Sequence, residues 1–301
     1  MKRVLLTVLS TLLAASVPTA ADAARPGEIT DTATAATFSY RLSRGLSQRL
    51  ETNIVIQTEE LAGRRSTEHV FNARFGYTWE VQSVGDDGTA TVANSLTNAE
   101  ANYTIAGERE DTTEIVNAMR GARLSHQVTS TGTLINATGT LETEEQIGNI
   151  VHDIISSAWV QFPAEPVSPG DIWLQSIPRA VGLDTGSIQA GTTAQYTLAG
   201  YANVGGARHA VIDVVYATRL DGLLEDEGGS GQRVELLGRG AGTAYVLFNM
   251  ATHRVTEVSG NIGDVMTGTL ISGSRVQTAY SISFHVSAMN AGDAPSAFAP
   301  L

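Results

Sequence analysis

Phe71, Ala73, Phe75, Tyr77, Trp79 and Val81 fall at every second position of one uninterrupted run. Side chains on a strand alternate between its two faces, so such a run builds one apolar and one polar face. No helix can collect these residues on a single side. The pattern recurs at Leu50, Thr52, Ile54 and Ile56, and again at Val276, Thr278, Tyr280, Ile282, Phe284 and Val286. Gly85-Asp86-Asp87-Gly88 and the stretch 203–206 carry hairpin-turn chemistry between such runs. The chain is therefore predicted to be mainly β and antiparallel.

Taken in order, strands are predicted at 38–42, 48–57, 70–84 and 89–96. A short helix is predicted over 111–120, and a hairpin over 124–137. Further strands are expected at 172–177, 194–201 and 209–220, the last with Val211, Asp213, Val215 and Ala217 on one face. A loop is expected at 182–191 and an acidic Gly loop at 223–231. Strands at 233–237, 242–249, 254–258, 264–271 and 275–288 complete the set.

One segment breaks the two-residue period. Ile147, Ile150, Val151, Ile154, Ile155, Ala158 and Trp159 follow the i, i+3, i+4, i+7 spacing of a helix with one apolar stripe. Thr143 with Gln146 forms a capping box, Glu144 and Glu145 sit in the first turn, and Pro163 ends the pattern. A central amphipathic helix is predicted over 143–162. The Pro169-Gly170 turn then leads into Ile172 and Trp173.

The sequence on either side of this helix is weakly repeated. Tyr77-Thr-Trp79, a Gly turn and Thr89–Val92 align with Tyr196-Thr-Leu198, a Gly turn and His209–Ile212. Gly121 to Gly139 aligns with Gly240 to Gly260 in the same manner. The expected fold is two similar curved antiparallel β-sheet halves, an open half-barrel or a sandwich, with one central amphipathic helix. The expected boundaries are a signal peptide over 1–23, a lead-in over 24–37, a first half over 38–142, the helix, a second half over 163–288 and a tail over 289–301.

Export is predicted from the N-terminus. Lys2 and Arg3 precede the apolar stretch 4–15, and Ala21-Asp22-Ala23 forms an A-x-A cleavage site. The apolar stretch is too short to span a bilayer, so stable membrane insertion is not expected, and the predicted location is the periplasm or the medium. The chain has no cysteine, hence neither a disulfide nor a lipidated Cys; the fold must rest on its core. A net charge of −12 disfavours nucleic acid and anionic lipid surfaces as partners.

Pro166-Val167-x-x-Gly170-Asp171-x-Trp173, Tyr196-Thr197-Leu198-Ala199-Gly200 and Gly238-x-Gly240 resemble a family of uncharacterised exported bacterial proteins built from two similar β-rich halves. The resemblance covers roughly 38–288, and its motifs are turns and strand starts, so it implies architecture and no functional residue. By analogy, the expected fold is similar to the half-barrels of periplasmic lipoprotein and lipid carriers.

No motif carries chemistry. Gly228-Gly229-Ser230-Gly231-Gln232 lacks the last Gly of a nucleophile elbow, and Gly238-x-Gly240-x-Gly242 lacks a dinucleotide pattern. The six histidines show no metal-ligand spacing, and Asp86-Asp87-Gly88 lacks the later acidic ligand of a calcium loop. No catalytic residue, cofactor or metal is expected. An outer-membrane barrel fits poorly, because aromatics make up 6% of the chain and a central helix has no place in one. Trp79, Ile154, Ile155, Trp159 and Trp173 are the candidate lining of an apolar-ligand site; the tryptophans serve equally well as core anchors. The expected function is that of an exported, non-catalytic soluble protein that binds or carries an apolar small molecule or lipid. The alternative is an envelope structural module that binds another envelope protein and no small ligand.

Overall fold

A computed structural model describes residues 27–62, 65–120, 122–140, 159–183, 186–225, 233–270 and 275–289. The first elements are β1 (Ile29–Asp31), β2 (Ser47–Ala62), β3 (Arg65–Val84), β4 (Ala90–Ile105) and β5 (Glu108–Glu110). Helix α1 (Thr113–Met119), β6 (Arg123–Val128) and β7 (Leu134–Thr140) follow. After the segment 159–167 come β8 (Ile172–Leu183), β9 (Gly186–Val204), β10 (Ala207–Glu225), β11 (Arg233–Asn249), β12 (Arg254–Leu270) and β13 (Arg275–Ala288). All pairings are antiparallel and belong to one sheet in the order β8-β9-β10-β11-β12-β13-β2-β3-β4-β6-β7. β1 shares the outer edge of β9 with β8, and β5 extends the free edge of β4. Among the described residues β7 and β8 have no further strand partner, so the sheet is not closed.

The predicted fold class therefore holds, with the correction that the halves are not separate sheets. The meander β2-β3-β4-β6-β7 and the meander β8-β9-β10-β11-β12 run in the same succession, and β13 joins them by pairing with β12 and β2. β3 keeps its register with β2 unbroken, which is why its alternation reads so cleanly in sequence.

Several predicted elements change. β11 is one strand, not two: the glycines at 238, 240 and 242 lie within it. A Cβ on Gly242 would meet Asn261 O and stand 2.7 Å from Ile262 Cα. One on Gly260 would meet the Ala244 Cβ and stand 2.5 Å from Thr243 O. Glycine there lets β11 and β12 approach as the sheet bends, a packing role for a motif that resembles a phosphate loop. The predicted loop 182–191 is the tip of the β8–β9 hairpin, whose strands run to Leu183 and from Gly186. β12 is continuous where two strands were expected. Of the acidic loop 223–231, residues 223–225 belong to β10, and 226–232 lie outside the described residues. On β10 the core takes Ala210, Ile212, Val214 and Tyr216, while Val215 is 48% exposed. Val211, Asp213, Val215 and Ala217 do share one face, the outer one; the run Val211-Ile212-Asp213-Val214-Val215 is apolar on both faces, so alternation alone does not say which face is the core.

The predicted strand 38–42 pairs with no strand. It crosses the inner face of the sheet as an extended segment with Phe38 and Tyr40 buried. The predicted helix lies outside the described residues from 143 to 158; from 159 to 162 the chain is extended, so the helical stripe does not continue through Trp159. The short helix appears as α1, with Ile115 and Met119 buried one turn apart and Thr112 Oγ1 donating to Ala101 O at 3.0 Å.

Candidate functional site

Burial on the inner face falls off along β12 and β13 and at Phe71 of β3, while the neighbouring inner positions of β2 and β4 stay closed. The cross-strand rung Leu198, Ile212, Val246, Val258, Val286, Thr52, Phe75 and Ala99 is sealed, each side chain at most 1% exposed. Two rungs further, Ile262, Ile282 and Phe71 are only half-buried, as is Phe284 between the two rungs. The same rung passes through Ile56 and Tyr103. Ile56 and Tyr103 are themselves buried, so the half-buried inner-face positions are Ile262, Ile282, Phe284 and Phe71, flanked by closed ones.

The sealed end is closed by two extended segments, 36–42 and 159–167. Ala36 and Val167 exchange both backbone hydrogen bonds, at 3.0 and 2.8 Å. Tyr40 N donates to Ser130 O at 2.7 Å, and Phe162 N to Thr131 O at 2.8 Å, which ties both segments to the β6–β7 turn. The Tyr40 hydroxyl accepts from Val160 N at 2.9 Å and donates to Val160 O at 3.3 Å. Around these bonds the rings of Phe38, Tyr40, Trp159, Phe162 and Phe248 pack at centroid separations of 4.9 to 5.8 Å. Burial pushes the phenols of Tyr40 and Tyr77 far above their ordinary range, so both stay protonated.

Of the predicted ligand-lining residues, Trp79 and Trp159 lie inside this aromatic plug, 3% exposed each and 5.5 Å apart. Trp173 sits at its margin, stacked on Tyr196 at 5.5 Å with its Nε1 donating to Gln161 O at 2.8 Å. Ile154 and Ile155 lie outside the described residues. The structure thus brings two of the tryptophans together as mutual packing partners. Asn94 Nδ2 and His126 Nδ1 meet at 3.0 Å beside Trp159, and Asn94 is wholly buried, so this polar island is shut off from solvent.

His69 was not singled out by sequence, although it continues the inward series of β3 one step beyond Phe71. It is 4% exposed, and its Nδ1 lies 2.8 Å from the Tyr103 hydroxyl. Burial holds its pKa below the ordinary value, an effect that Glu60 partly opposes. Burial, reinforced by Glu110, pushes the Tyr103 phenol up to about 12. The His69 Nε2 is buried and has no hydrogen-bond partner among the described residues.

The outer face carries a rung of the opposite character. It reads Thr197, Asp213, Tyr245, Ser259, His285, Asn53 and Arg74, and Arg74 is paired with Glu51 at 2.6 Å. A membrane barrel needs apolar residues on this side, so over this rung the pattern is inverted. Among the described residues no helix is long and apolar enough to cross a membrane, and no group of three or more His, Asp or Glu side chains is placed to hold a metal.

Half-buried apolar floor, sealed end and an outer face that carries a polar rung define an open antiparallel sheet curved about one partly covered face. The sequence matches no protein-family model and no curated protein. Among solved structures it is similar to OpdQ of Pseudomonas aeruginosa, with 6% identity over 81% of this chain and 99% of that chain, at a TM-score of 0.30. An exported protein with a YmcC-like fold from Bacteroides fragilis gives 9% identity over 82% and 98%, at 0.24. A DUF1329 family protein from Desulfovibrio piger gives 10% identity over 79% and 84%, at 0.13. At scores of this size neither fold nor function passes from these proteins to this chain.

Proposed function

We propose that the protein is exported, non-catalytic, and holds an apolar ligand on the inner face of its sheet, beyond the aromatic plug. The observation that carries this reading is the half-buried floor of Phe71, Ile262, Ile282 and Phe284, continuous with a fully dry core. Proteins rarely leave contiguous apolar surface facing water without a use for it. A concave apolar surface with a few polar groups is the usual form of a small-molecule site. Trp79 and Trp159 are taken up by the plug, and Trp173 stands half-buried at its margin. Export is supported by Lys2, Arg3, the apolar stretch 4–15 and the Ala21-Asp22-Ala23 site. The acidic charge argues against a nucleic-acid partner.

A second reading, an envelope interaction module without a small ligand, is favoured by Ile172 and Leu174. They stand 61% and 66% exposed on β8, at the sheet edge. Organic extraction of natively purified protein followed by mass spectrometry separates the two, together with titration of an uncharged environment-sensitive fluorophore. A co-purified lipid or a saturable fluorescence rise supports the carrier; neither signal leaves the interaction module.

A further inference from the structure

We propose that His69 and Tyr103 form the headgroup end of this site. Its ligand is then a single-chain amphiphile with an uncharged, hydrogen-bonding head, of the monoacylglycerol or fatty-alcohol kind. The inference rests on the apolar-ligand reading and adds the polarity of the ligand's head.

Position is the first argument. The rung Gly242, Ile262, Ile282, Ile56, Phe71, Tyr103 crosses six strands. At the usual strand spacing this is about 24 Å, the length of an extended acyl chain, and Ile262, Ile282 and Phe71 are the half-buried members of the rung. One inward step further from the plug, the pair Thr58 and His69 replaces apolar side chains by polar ones. The floor is therefore apolar along its length and polar at its far corner, next to Tyr103.

Valence is the second. Tyr103 occupies Nδ1 of the imidazole, and Nε2, on the other side of the ring, is buried without a partner among the described residues. Buried polar atoms are rarely left so, and each calls for an explanation; beside an apolar floor, the polar head of a ligand supplies one. When the Tyr103 hydroxyl donates to Nδ1, Nε2 carries the hydrogen and donates to a head oxygen. In the opposite tautomer Nε2 accepts from a head hydroxyl. A hydroxyl meets either case.

Charge is the third. Among the described residues, the charged groups acting on the pair are Glu60, on His69, and Glu110, on Tyr103. Both are acidic, and burial disfavours the charged imidazole. An ionised carboxylate head would meet these two negative charges, whereas an uncharged head avoids that repulsion.

The test is titration of the purified protein with monooleoylglycerol, with oleate, and with the uncharged fluorophore. Wild type is compared with His69→Phe and His69→Gln. Wild type is expected to prefer monooleoylglycerol. His69→Phe should weaken that ligand by about fivefold to tenfold, the size of one neutral hydrogen bond, and leave the fluorophore affinity unchanged, which also certifies its fold. His69→Gln, which keeps a donor, should recover part of the loss. Preference for oleate, or an unchanged monooleoylglycerol affinity in His69→Phe, overturns the headgroup assignment while fluorophore binding keeps the apolar site. Failure of every probe to bind overturns both.

Discussion

Replacing Tyr40 by Phe removes one oxygen from the plug and leaves its packing in place. The ring still faces Trp159 at 4.9 Å and Phe248 at 5.5 Å. What disappears is the hydroxyl that accepts from Val160 N at 2.9 Å and donates to Val160 O at 3.3 Å. Val160 is 1% exposed, so water cannot take over either bond. A buried amide left without a partner costs about 1–3 kcal/mol, and the long bond to the carbonyl adds little, so about 2 kcal/mol is expected. For a chain of this size that is about 3–4 °C in melting midpoint. Thermal unfolding followed by circular dichroism and tryptophan fluorescence measures it. The phenol stays protonated because burial raises its pKa far above the working range, so the loss should be the same at neutral and mildly alkaline pH. A midpoint within about 1 °C of wild type would refute the claim that these segments are locked to each other through Tyr40.

Gly132→Ala should cost about 3 kcal/mol, since φ is +88° and a Cβ would collide with Val160 O and lie 2.7 Å from the Tyr40 ring; urea unfolding reads it. Gly242→Val should cost about 2 kcal/mol or more by the same assay, because the bend leaves no room beside Ile262. His69 has a depressed pKa in the fold, so the unfolded chain takes up the proton first as pH falls. Its contribution is complete above about pH 6.5 and is lost progressively below it. The urea midpoint should therefore drop between about pH 7.5 and about pH 5.5, and His69→Phe should flatten part of that drop.

Much of the sheet is legible in the sequence where one face is apolar and the other is not. The β3 series from Phe71 to Val81 and the β2 series from Leu50 to Ile56 lie on the predicted face, because burial on one side alone fixes alternation. Alternation fails on β10, where both faces carry valines, and Tyr245 and Leu247 of β11 bury Val211 on the outer side. Strand ends are missed for a different reason. β9 begins with Gly, Ser, Gln and Thr among its first residues, and Gly238 to Gly242 interrupt the apolar pattern of β11, so backbone pairing continues where no alternation marks it. The segment 38–42 has strand-like alternation yet no strand partner, since an extended chain lying across a sheet buries every second side chain as well. The candidate site is less legible. Phe71, Ile282 and Phe284 are readable as inward residues, but their half-exposure depends on where the plug stops. His69 lies just before the predicted strand 70–84 and Tyr103 beyond the predicted strand 89–96, and only the full length of β3 and β4 and their register bring them together.

The central claim is that the inner floor beyond the plug holds an apolar chain. Crystallography with a monoacylglycerol brominated along its acyl chain tests it most directly. The account predicts anomalous bromine peaks in contact with Phe71, Ile282 and Phe284. Peaks confined to the outer face near Ile172 and Leu174, or a ligand-free inner face at saturating concentration, would contradict it.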